Sequence, residues 1–218
     1  MIGIAACGSG NGTTAGEGNT ILAESKAPFG APEFDKFKIE DYKEAFDIAL
    51  AEKRADIKAI IENGDEPTFA NTIDALEMSG KTLDKVSSIF FNLNESNNSP
   101  EMVEVENAVT PLLTELSGYI FMNDSLFARI RTLYDNKTSL GLNEEQLIVL
   151  ENYYQQFVRG GALLNEQDKA TLLDLNTKLS LASIEFGNNL LADGKAEEMI
   201  IVLPYIADEM KFQPWCFE

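Results

Sequence analysis

The sequence predicts an all-α protein: a multi-helix bundle of long amphipathic helices, with an irregular amino-terminal tether and a divergent carboxy-terminal tail. Three observations predict it. Between Thr68 and Asn94, apolar or small residues recur at 69, 73, 76, 80, 83, 87 and 90, and these steps of 4 and 3 mark one face of an α-helix. Further stretches repeat that spacing and begin at residues suited to cap a helix. The one strand-like run, Met199-Ile200-Ile201-Val202-Leu203, is followed by Pro204 and has no partner strand elsewhere in the chain.

Each element can be justified in turn. Gly8 to Gly18 is a glycine-rich stretch with the composition of a flexible tether. Its glycines do not make a phosphate loop, because no strand precedes them and no helix opens directly after. Ala27 to Phe34 holds two prolines and a glycine, which exclude a regular helix, and two phenylalanines that can anchor it to a core. From about Glu40 to Asn63, Tyr42, Phe46, Ala49, Leu50, Ile57 and Ile60 share a face, with acidic residues in the first turn where the helix dipole favours them. The Thr68–Asn94 pattern keeps its phase at Gly80, so one helix is expected to run through it. A glycine inside a helix costs about 1 kcal/mol against alanine, less than the roughly 1.5–3 kcal/mol gained by burying a side chain such as Phe90.

Ser99 can cap a helix with Pro100 at its first position, and Val105, Val109, Leu112, Leu116 and Ile120 stay in step past Pro111, which suggests one kinked helix. Asn123-Asp124-Ser125 opens a short helix carrying Phe127, Ile130 and Leu133. Asn143 and Gln146 form a capping box for the next, with Leu147, Leu150, Tyr154, Phe157 and Val158, closed by Gly160-Gly161. Asn165 opens a last long helix whose apolar face is expected to run through Leu172, Leu175, Leu179, Ala182, Phe186 and Leu190. The domains expected are a signal remnant and tether over 1–24, a helical domain over 25–192 and a divergent tail over 193–218.

Composition excludes several functions. The 218 residues carry a formal net charge of −19, which repels nucleic acid phosphates and anionic lipid. No apolar run approaches the roughly 20 residues that span a bilayer as a helix. There is no histidine, which removes a His-Glu-x-x-His zinc site, every Ser–His or Cys–His pair and all imidazole bases. The two cysteines, Cys7 and Cys216, form no Cys-x-x-Cys. Ile4-Ala5-Ala6-Cys7 resembles the end of a bacterial lipoprotein signal, without the basic leader and most of the apolar core, so Cys7 is a candidate lipidation site. The alternative is a chance cysteine.

Remaining motifs fall short of chemistry. Gly80-Lys81-Thr82 resembles the end of a nucleotide-binding loop, but Ala75 stands where that loop needs glycine, and the pattern is helical. Asp135 to Leu140 resembles the start of a calcium loop, but Leu140 replaces the required glycine and Gln146 the bidentate glutamate. The pairs Glu40/Asp41, Asp65/Glu66, Glu144/Glu145 and Glu197/Glu198 could supply an acid and a base, yet on an acidic helical chain they read as caps and solvated faces. Phe90-Phe91 and Tyr153-Tyr154 read as core and rim rather than a stacking platform. No catalytic, cofactor-binding or metal-binding residue is assigned in this chain.

Two longer stretches carry a resemblance. Pro28-Phe29-Gly30-Ala31-Pro32-Glu33-Phe34-Asp35-Lys36-Phe37-Lys38, with Tyr42, Ala45 and Phe46, is one. Pro67-Thr68-Phe69-Ala70-Asn71-Thr72-Ile73-Asp74-Ala75-Leu76-Glu77, with Ser79-Gly80 and Phe90-Phe91-Asn92-Leu93, is the other. Phe127-Ala128-Arg129, Leu133-Tyr134 and Phe157 to Ala162 continue in the same order. Over about Leu22 to Ala192 the chain resembles the amino-terminal region of bacterial peptidyl-dipeptidases of the thimet-oligopeptidase family of zinc metallopeptidases. That resemblance implies one helical wall of a clamshell around a peptide channel. It also implies that the zinc, its ligands and the catalytic glutamate belong to the other half, with oligopeptides as partners of the full-length protein. On that basis the chain is a non-catalytic portion, inactive alone, of a protein that releases carboxy-terminal dipeptides. The alternative is a tethered helical lipoprotein that binds peptides or a partner protein without catalysis. No nucleic acid partner is expected, and a membrane is met only through a lipid on Cys7. Location follows the same fork: periplasmic or lipid-anchored if Cys7 is modified, cytoplasmic otherwise.

Overall fold

The computed structural model describes residues 18–196, and among these there are helices and turns but no strand. Cys7, Cys216, Glu197/Glu198 and the run Met199–Leu203 lie outside the described residues. Two compact units divide between Leu181 and Ala182, inside the last helix.

Helix α1 (Asp41–Ile61) joins two cores. The face expected from its sequence is the face it buries: Tyr42, Phe46, Ala49, Leu50, Ile57 and Ile60. Its first half packs with α3 (Lys81–Ser96) and α4 (Pro100–Phe121) around Tyr42, Phe46, Val86, Phe90, Met102 and Val109. Its second half packs with a π-helical turn (Ala70–Asp74), α5 (Asp124–Asp135) and α6 (Glu144–Arg159) around Ile57, Ile73, Leu126, Ile130, Leu150 and Phe157. Twenty-one residues at 1.5 Å each make α1 about 32 Å long, enough to span both cores. Phe90 sits edge-on to Tyr42 and Phe46, with ring centroids 5.0 and 5.5 Å away. Such pairs add about 0.5–1.5 kcal/mol to the area they bury.

Helix starts follow the capping residues. Ser99 accepts from the Met102 amide, Asn123 from Leu126, and Asn143 with Gln146 closes a reciprocal box. α4 continues through Pro111 as one helix. Residues 18–24, placed with the tether by composition, instead pack on α1. Ile21 is fully buried, Asn19 Nδ2 donates to the Asp41 carbonyl at 2.9 Å, and the Thr20 hydroxyl donates to Asp41 Oδ2 at 2.6 Å.

The expected single helix across Gly80 is not formed. The π-helical turn runs into a short α2 (Ala75–Met78), Ser79 is extended, and Gly80 is left-handed at φ 72° before α3 begins. The hydrophobic phase survives because both pieces bury Leu76 and Leu83. The backbone between them does not, because partners from α1 hold it open. Lys53 Nζ donates to the Ser79 carbonyl at 3.0 Å, and the Gly80 amide donates to Asp56 Oδ2 at 2.9 Å.

The last helix, α7 (Glu166–Ala196), departs from expectation in its face. Leu175, Leu179, Phe186 and Leu190 are largely exposed. In the first unit the packed side is Leu172, Leu173, Thr177 and Ser180, all half-buried. Gly118 of α4 lets Leu173 approach so closely that an added Cβ would lie 2.8 Å from Leu173 Cδ1. Ser180 Oγ stands 3.2 Å from Thr114 Oγ1. α7 is apolar on more than one side, so periodicity alone could not choose which side is covered.

Candidate functional site

Two of the phrases, Pro67 to Glu77 and Phe127-Ala128-Arg129, meet at Arg129, a residue whose role the sequence alone does not show. Arg129 leaves α5 and is buried. Its Nη1 donates to the carbonyls of Asn63 at 2.8 Å and Asp65 at 3.1 Å, and its Nη2 donates to Asn71 Oδ1 at 2.9 Å. Asn71 Oδ1 also accepts from the Thr68 amide at 2.8 Å and the Thr72 hydroxyl at 3.0 Å, while Asn71 Nδ2 donates to the Glu66 carbonyl. A planar guanidinium with five donors suits this task, since it satisfies two loop carbonyls and one side chain at once. Arg129 Nε has no partner among the described residues. The cluster fastens α5 to the turn after α1 and to the π-helical turn. Its geometry is that of a structural clasp, with no nucleophile or acid–base pair in it.

The other candidates separate in space or find ordinary partners. Asp41 accepts from the Thr20 hydroxyl and amide, which hold its carboxyl below the usual range. Glu144 and Glu145 lie in the first turn of α6. Asp65 contributes its backbone to Arg129. In the stretch that resembles a calcium loop, Lys137 pairs with Glu151 and lies over the Tyr134 ring, and Asp135 pairs with Arg131. Gly80-Lys81-Thr82 lies at a helix–helix break, with no strand among the described residues. Phe90 and Phe91 belong to the first core, and Tyr154 stacks on Tyr134 at 3.9 Å. Tyr153 is pushed well above the usual phenol range by burial and by a hydrogen bond to Glu77. Among the described residues no three cysteine, aspartate or glutamate side chains gather to hold a metal ion.

One cleft remains. It has a volume of about 390 Å³ and lies between residues 20–37 and α3. Ala23, Pro32, Phe37 and Ile89 line it, with Lys85 and Glu24 among the polar residues.

No family model matches the chain. The chain is 39% identical over 178 residues to the dipeptidyl carboxypeptidase of Salmonella typhimurium, covering 82% of this chain and 26% of that protein. It is 37% identical over 183 residues to the dipeptidyl carboxypeptidase of Escherichia coli, covering 84% and 27%. The chain belongs to the dipeptidyl carboxypeptidase and oligopeptidase A family. Oligopeptidase A of Salmonella typhimurium is 28% identical over 163 residues, covering 75% and 24%. The chain thus spans about a quarter of the length of the curated relatives it matches. Seen as part of this family, the phrases that carry the resemblance are architectural. Pro67 to Glu77 builds the π-helical turn and α2, Ser79-Gly80 makes the break, and Phe127-Ala128-Arg129 supplies the clasp.

Proposed function

We propose that this chain is the amino-terminal, non-catalytic portion of a zinc-dependent peptidyl-dipeptidase, contributing one helical wall of a peptide channel. The observation that carries this reading is the extent of similarity to dipeptidyl carboxypeptidases, which covers four-fifths of this chain at 37–39% identity. Two features support it. The sequence has no histidine for a zinc site. Leu163 and Leu175 are exposed on and just before α7, as expected of a surface meant to be covered by more protein. In the whole protein, zinc would activate water for attack on a peptide carbonyl. Purified chain supplied with zinc and an oligopeptide should release no dipeptide. Chelator-sensitive release would sink the reading.

A second reading rests on Ile4-Ala5-Ala6-Cys7 and the glycine-rich stretch after it. In it the chain is lipidated at Cys7, anchored at the periplasmic face of a membrane, and binds peptides without cleaving them. Radiolabelled palmitate incorporated by the wild type and not by Cys7→Ser would support it. Equal labelling of the two would remove it.

A further inference from the structure

We propose that the cleft between residues 20–37 and α3 is a binding site for an apolar dipeptide in its zwitterionic form. Its volume of about 390 Å³ lies in the lower part of the range for small-molecule sites, which suits a ligand of a few residues at most. Phe37, Ile89, Pro32 and Ala23 give it an apolar wall.

The polar groups at this wall select the ligand. Lys85 Nζ donates to the Ala23 carbonyl at 2.8 Å and the Leu22 carbonyl at 3.4 Å. An ammonium has three protons, so these contacts fix its position and leave one donor for a ligand. No carboxylate among the described residues pairs with it. Glu24 lines the same cleft and has neither an ion pair nor a hydrogen bond among the described residues. The other charged pair there, Glu33 and Lys36, is already joined, and Glu33 also accepts from the Lys26 amide. The cleft therefore offers one donor cation and one open carboxylate beside apolar surface.

A simple apolar anion would meet Lys85 but would be opposed by Glu24 and by a chain of net charge −19. An apolar cation would meet Glu24 and face Lys85. A zwitterion satisfies both ends and carries no net charge. Its carboxylate accepts from Lys85 and its ammonium donates to Glu24, with its side chains on Phe37 and Ile89. The inference does not depend on the peptidase reading, since it concerns binding by this chain without zinc.

Calorimetric titration of the full chain with Leu-Phe, N-acetyl-Leu-Phe, Leu-Phe amide and free phenylalanine tests it. Saturable binding of Leu-Phe is expected. Each capped form should be about three- to fivefold weaker, the scale of an exposed charge pair. Glu24→Gln should remove the discrimination against the acetylated form, and Lys85→Met that against the amide. Ser88→Trp, on an exposed residue lining the cleft, should abolish binding while leaving the melting temperature unchanged. Equal affinity for capped and uncapped peptide, equal affinity for free phenylalanine, undiminished binding by Ser88→Trp, or no saturation by about 10 mM ligand would each overturn the assignment.

Discussion

Lys53 Nζ lies 2.7 Å from Ser79 Oγ and 3.0 Å from the Ser79 carbonyl oxygen, so a lysine on α1 caps the end of α2. The same side chain occupies the space beside residue 80. A Cβ built on Gly80 would lie 2.3 Å from Lys53 Cδ. A left-handed backbone and a tethered neighbour therefore both require glycine here. Gly80→Ala should destabilise the protein by about 1–3 kcal/mol. In an unbroken helix the same change would stabilise it by about 1 kcal/mol. Chemical denaturation decides by sign alone.

Removing the clasp should be costly. Arg129→Met leaves the Asn63 and Asp65 carbonyls and Asn71 without their shared donor. A loss of about 2–4 kcal/mol is expected. Arg129→Lys should recover little of it, because a single ammonium cannot reproduce the fork. Equilibrium unfolding of both variants provides the check, and full rescue by lysine would refute the geometric argument.

Tyr42 is fully buried and its hydroxyl has no hydrogen-bond partner among the described residues. Burial pushes its pKa from 10.0 to about 12. The folded state thus holds this proton after the unfolded chain has released it. The associated stability is complete below pH 10 and is lost as pH rises towards about 12. Buried Tyr153 acts in the same sense, whereas Lys53, lowered mainly by burial, acts oppositely as pH approaches its ordinary value. Tyr42→Phe should add about 1 kcal/mol at neutral pH by removing an unsatisfied hydroxyl. It should also flatten, without abolishing, the alkaline loss seen in melting temperature against pH.

Phe29 adopts φ 60°, ψ 15° while fully exposed. Its side chain gains nothing from burial, and its backbone sits where only glycine, asparagine and aspartate rest comfortably. Phe29→Asn is expected to raise stability by about 0.5–1 kcal/mol. A thermal melt showing a marked loss would mean that the ring makes a contact essential to this fold.

Leu175 is 55% exposed on α7. An apolar face left uncovered is expected to make the chain self-associate, and Leu175→Glu should reduce that association in analytical ultracentrifugation and change stability by no more than about 0.5 kcal/mol. A large loss of stability would place that side chain in a core.

The helices, their caps and the buried face of α1 were legible in the sequence, because spacing and capping are local properties of a few neighbouring residues. Asn143 with Gln146 and Ser99 with Pro100 needed no distant partner to be recognised. Distant partners decided what local reasoning misread. Lys53 and Asp56 hold the break at Gly80, and Asp41 draws residues 18–22 out of the presumed tether. Gly118 helps select which side of α7 is packed, and the role of Arg129 appears only once residues more than fifty positions apart meet. By itself the sequence determined an acidic, helical, histidine-free chain whose phrases belong to a peptidase family. Tertiary structure decided where those helices stop and what the phrases do, because hydrogen bonds between elements are set by packing and not by periodicity.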